Sequence, residues 1–103
     1  MSVSSTEGTI HQFEAGRYGG IVIVSFTLKL NQNITSNVAD HIITGNYSLQ
    51  ELKPIKRSQI GGSNNRSTGN FISNISGNFS WTNYSTISSG AIFWLGYIYI
   101  CGY

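Results

Sequence analysis

The stretch NFSWTNYS sets an indole, an amide and a phenol, Trp81, Asn83 and Tyr84, close together at what reads as a strand end and turn. Sugars present flat C-H faces and hydroxyl groups, so a site that recognises them needs an aromatic platform with a few placed donors and acceptors. Asp40 and His41, beside another turn, add two groups able to direct hydrogen bonds. These five residues form the candidate saccharide-binding set. The competing reading makes Trp81 an ordinary core residue of a strand and leaves Asp40 and His41 as plain surface groups.

Catalytic chemistry has less to work with. The acids are Glu7, Glu14, Asp40 and Glu51, and the histidines are His11 and His41. Hydrolysis by paired carboxylates needs two acids at a fixed separation, and only one acid lies in the strongly patterned part of the chain. Asp40 and His41 with a serine would supply the groups of a hydrolytic triad, but neighbours in a strand point to opposite faces. No phosphate-cradling loop and no zinc spacing is present. The single cysteine, Cys101, excludes an intrachain disulfide and reads as a small apolar strand residue. The expectation is a protein that is not an enzyme and has neither cofactor nor metal.

Charge narrows the partners. Charged residues make up 10 % of the 103, far below the usual quarter, with a net charge of +2. Lys53, Lys56 and Arg57 are the only basic cluster, too little for a phosphate backbone, so nucleic acid is not expected. Asn-x-Ser/Thr triplets begin at Asn33, Asn46, Asn65, Asn74, Asn78 and Asn83. That exceeds the roughly two that chance gives, yet Asn, Ser and Thr all favour turns, and that explains the excess without glycans. The first residues lack the basic and apolar regions of a secretory signal, so work outside a cell implies release by another route, such as lysis.

The elements that must position these groups read as strands. IVIVSFTLKL, residues 21 to 30, aligns Val22, Val24, Phe26, Leu28 and Leu30 on one apolar face, while its other face turns from isoleucine to Ser25, Thr27 and Lys29. DHIITGNYSL is a shorter strand ending near Gly45-Asn46. LKPIKRSQI carries the only proline, Pro54, which confines it to an edge or an extended connection. GGSNNRSTGN reads as a loop, and NFISNI and NFSW flank a hairpin-like Ser76-Gly77. MSVSSTEG reads as a loose lead, TIHQFEA as an edge strand with poor alternation, and GRYGG as a break, so residues 1 to 15 are separated from a head at 16 to 103. No stretch has helical periodicity. Short strands with frequent turns predict an all-β antiparallel sandwich or barrel.

The run AIFWLGYIYI near the C-terminus is about half of what a membrane helix requires. Its β-branched and aromatic content makes it a strand. Alternation puts Ala91, Phe93, Leu95, Tyr97 and Tyr99 on one side and Ile92, Trp94, Gly96, Ile98 and Ile100 on the other. Both faces are apolar. A small antiparallel domain commonly covers only one face of its sheet, so a partner subunit is expected over the other, and the protein is expected to be an obligate homo-oligomer.

The order GGIVIVSFTLKL, a strand near IITGNYSL, the extended LQELKPIKRS, the paired NFISNISGNFSW, an SSG turn at 88 to 90 and a closing strand resembles the C-terminal heads of receptor-binding proteins of tailed phages that infect Gram-positive bacteria. The likeness covers about residues 16 to 103. It implies a homotrimeric jelly-roll or TNF-like head on a virion fibre or baseplate, binding a cell-wall saccharide of the host near subunit boundaries. Trp81 falls where such heads carry a tryptophan after an SG turn. The His and Asp that those heads place just before it are replaced here by Phe71 and Ser73, which implies a moved or altered sugar site.

Overall fold

The computed structural model describes residues 1–35, 40–47, 54–64, 78–82 and 86–101, with 40, 54–64, 82 and 101 described by backbone alone. Seven strands and no helix occur among them: β1 (Ser2–Ser4), β2 (Gly8–Tyr18), β3 (Ile21–Leu30), β4 (Asp40–Asn46), β5 (Pro54–Asn64), β6 (Phe79–Thr82) and β7 (Ile92–Cys101). They form two antiparallel sheets, in the orders β1-β4-β6 and β2-β3-β7-β5.

Composition explains which strands lie in the middle. β3 and β7, richest in β-branched and aromatic residues, pair along most of their length, from Ile21 opposite Ile100 to Lys29 opposite Ile92. Between them they bury Val22, Val24, Phe26, Leu28, Leu30, Phe93, Leu95, Tyr97 and Tyr99. Full burial of such side chains is worth roughly 1.5 to 3 kcal/mol each, so this inner face dominates the fold's stability. Pro54 opens β5, an edge strand of the larger sheet, the kind of position to which a residue without an N-H is confined.

The smaller sheet closes over that face through β6. Phe79 stacks on Tyr97 with ring centroids 4.7 Å apart, and Trp81 meets Phe93 edge-on at 4.9 Å. The buried Tyr97 hydroxyl donates to the Ser80 carbonyl at 3.1 Å, tying the sheets together. Ile34 and Ile87 add a bridge with reciprocal backbone bonds of 2.8 and 2.9 Å. The result is sandwich-like, with one shared core.

Three expectations are refined, and a fourth falls where the structure describes nothing. The lead expected to be loose begins with β1, whose Val3 lies opposite Gly45 and is buried; one valine among small polar residues is too weak a pattern to read. The division at residue 15 falls inside β2, which runs to Tyr18 before turning at Gly19, φ +64°. Residues 61–64, read as loop, belong to β5 because Gly61, Gly62, Ser63 and Asn64 pair with β7. The Ser76-Gly77 hairpin, with Phe71 and Ser73, lies outside the described residues.

β7 divides as its alternation requires. One row is in the core, while Ile92 is 58 % exposed, Trp94 53 % and Ile100 44 %. On β3, Ile21 and Ile23 also face outward. The four-stranded sheet thus carries an open apolar outer face.

Candidate functional site

Of the five residues singled out, the structure brings two together. His41 on β4 lies opposite Trp81 on β6, and their rings stack at 4.3 Å with 26° between planes. Asp40 pairs with Thr82 through the backbone. Asn83 and Tyr84 lie outside the described residues.

Trp81 is not placed as a platform. Its indole is fully buried, covered by His41 and held edge-on by Phe93, so no ring face is open to a sugar. The physical reason is register: Phe79 and Trp81 share the inward face of β6, opposite β7. Its indole N-H finds no acceptor among the described residues. Over the pair lies Glu7, whose Oε2 is 2.7 Å from His41 Nδ1. Glu7 is held there because its carbonyl accepts from the Asn31 N-H at 2.9 Å and its own N-H donates to Ser5 Oγ at 3.0 Å. Carboxylate, imidazole and indole form a column from surface to core that pins the β1–β2 turn onto the small sheet.

The outer face of the larger sheet offers a different arrangement. His11 pairs with Thr27 and Glu14 with Ser25, so Gln12 and Phe13 together oppose the single Phe26. This is a β-bulge, and Gln12 supplies its left-handed residue at φ +53°. A side-chain-bearing residue there costs roughly 1 to 2 kcal/mol, and such outliers persist where the surroundings fix them, frequently at binding sites. Here Phe13 turns inward to pack on Phe26 at 6.5 Å, and the Thr27 hydroxyl donates to the His11 carbonyl at 3.0 Å.

The bulge opens a concavity of about 430 Å³ whose lining includes Gln12, Glu14, Ser25, Thr27 and Trp94. An exposed indole therefore stands beside an amide, a carboxylate and two hydroxyls. No group of three or more possible metal ligands gathers among the described residues.

The sequence places Trp94 on one of two apolar rows of the last strand without showing which row faces outward, and it gives Gln12 and Glu14 no role. The usable signal was the failed alternation in TIHQFEA. One extra residue after His11 restores it, with Ile10 and Phe13 both packed against the core. Two of the triplet asparagines have structural uses: Asn33 Oδ1 accepts from the Ser89 N-H at 2.8 Å and Asn78 Oδ1 from the Gly45 N-H at 3.2 Å. Both amides tie segments distant in the chain together, a structural use different from the local turn preference.

No family, no curated protein and no solved structure matches the chain. No helix among the described residues is long and apolar enough to cross a membrane.

Proposed function

We propose that this chain is a non-catalytic fibre-tip domain, a homotrimeric jelly-roll or TNF-like head that attaches a phage virion to a saccharide on the surface of its bacterial host. The observation that carries the saccharide reading is the half-exposed Trp94 above a concavity furnished with Gln12, Glu14, Ser25 and Thr27. An indole face accepts the C-H side of a pyranose, and the surrounding groups suit its hydroxyls. The order of elements described from the sequence supports the fibre context.

Assembly is supported by the rest of the same face. Ile21 lies opposite Ile100 and Ile23 opposite Ile98, a cluster of four isoleucines on the outside of the sheet. Covering the exposed part of Ile21, Ile23 and Ile100 is worth roughly 1 kcal/mol each, and an exposed apolar cluster of this kind marks a contact surface. A shallow site binds weakly by itself, and linked copies raise avidity by about 100- to 10,000-fold.

The isoleucine cluster also favours a second reading, a capping module that trimerises a fibre without any ligand. Light scattering on the purified oligomer followed by a glycan array separates the two. Glycan binding that disappears in Trp94→Ala while the trimer mass persists supports attachment. A trimer that ignores every glycan supports capping, and an 11.3 kDa monomer contradicts both.

A further inference from the structure

The concavity beside Trp94 does not end at Glu14. A second hollow of about 500 Å³ continues from it along β2 and β3, shares Phe13, Glu14 and Ser25 with the first, and ends at Tyr18. Tyr18 is 68 % exposed, the most open large apolar side chain among the described residues. Its ring is seated on Gly16: a Cβ there would come within 3.0 Å of both Cε2 and the hydroxyl of Tyr18. Glycine at 16 therefore lets the phenol lie against the sheet at the groove's far end.

The two rings bracket the groove. Tyr18 lies opposite Ile21 and Trp94 opposite Thr27, six positions apart on β3 and so about 20 Å along the strand. Gly96, opposite Ser25, leaves the neighbouring row on β7 without a side chain at the groove's midpoint. Glu14 stands at that midpoint, and among the described residues no lysine, arginine or histidine lines either hollow.

We infer that this groove binds an extended, uncharged glycan chain, with one sugar on Trp94, another on Tyr18 and the intervening hydroxyls donating to the Glu14 carboxylate. The inference rests on the saccharide reading above and adds length and charge to it. Hydrogen bonds from hydroxyls to a carboxylate are about twice as strong as neutral ones, which rewards hydroxyl-rich ligands. The same carboxylate, with no base among the described lining residues to offset it, repels a phosphate- or carboxylate-bearing polymer. Ile23 belongs both to the second hollow and to the isoleucine cluster, so a subunit packed on that cluster forms the groove's adjoining wall.

The test is calorimetric titration of the full chain with neutral gluco-, galacto- and N-acetylglucosamine oligomers of increasing length, and with phosphorylated counterparts. Affinity is expected to rise with length until both rings are engaged and to be at least tenfold weaker for phosphorylated chains. Tyr18→Ala should lower affinity about tenfold for long oligomers while leaving disaccharides unchanged, and Trp94→Ala should weaken every length. Glu14→Gln should narrow the gap between neutral and phosphorylated chains. Binding that is indifferent to length and to Tyr18→Ala overturns the extended groove and leaves the single-sugar reading standing. Preference for phosphorylated chains overturns the charge assignment. If no oligomer binds, both readings fail together. If Tyr18→Ala changes the subunit mass instead of glycan affinity, that end of the groove is a subunit contact and the inference is wrong.

Discussion

The two tryptophans of this chain lie on strands of different sheets, and their surroundings assign them opposite roles. Trp81 is enclosed, with imidazole on one face, a phenylalanine at its edge and Glu7 closing the column above. Trp94 projects from the outside of the other sheet into a hollow made by a strained bulge. The same side chain fills the core where alternation turns it inward and lines an open hollow where alternation turns it outward, which is where we propose that it meets a sugar. Residue type in a β protein therefore says less about function than the parity of its position.

The largest expected effect comes from truncating each indole in turn. Trp81→Ala should cost about 3 to 5 kcal/mol in a urea unfolding series, whereas Trp94→Ala should stay within about 0.5 kcal/mol. Equal losses would erase the contrast. Next comes Gly8→Ala at the start of β2. A Cβ at Gly8 would collide with the Lys29 carbonyl and sit 2.8 Å from Leu28 Cδ1, so we expect a loss of about 1 to 3 kcal/mol, read from the same denaturant midpoint.

Gln12→Gly sharpens the comparison from the other side. Glycine adopts the left-handed bulge conformation without steric cost, so thermal melts should show stability rising by up to about 1 kcal/mol while glycan affinity falls with the lost amide. Stability gained at no cost in binding would mean that the bulge serves the sheet alone.

The smallest effect at neutral pH appears only in alkali. Burial pushes the Tyr47 phenol from 10.0 up to about 12, although a bond with Tyr99 opposes the shift, and burial raises Tyr97 as well. An unfolded chain releases these protons near 10 while the fold retains them. Their contribution is therefore intact below pH 10 and lost as pH climbs toward 12. Melting temperatures followed across that range should fall, and Tyr97→Phe should soften the fall.

Much of this architecture can be read from the chain itself. The inner rows of β3 and β7 follow their alternation without exception, because nine large apolar side chains leave no other register that buries them. Pro54 marks an edge for the same elementary reason, a missing donor. The candidate site was harder to see. Trp81 stands among polar neighbours in the sequence, yet its parity within β6 follows from pairing with β4, which no local pattern reveals. Gln12 and Glu14 were hidden because a bulge breaks the very periodicity used to find strands. Tyr18 reads as part of the break GRYGG, since Gly16 suggests a turn when its use is to seat a ring.

The most direct test is solute quenching of tryptophan fluorescence in the assembled protein, with and without a bound neutral oligosaccharide. One component, Trp94, should be open to iodide or acrylamide and become shielded by the sugar, while Trp81 remains dark to quencher throughout. A single inaccessible population, or an accessible indole that saturating sugar leaves unprotected, would contradict the assignment of the outer sheet face as the place where this protein meets its ligand.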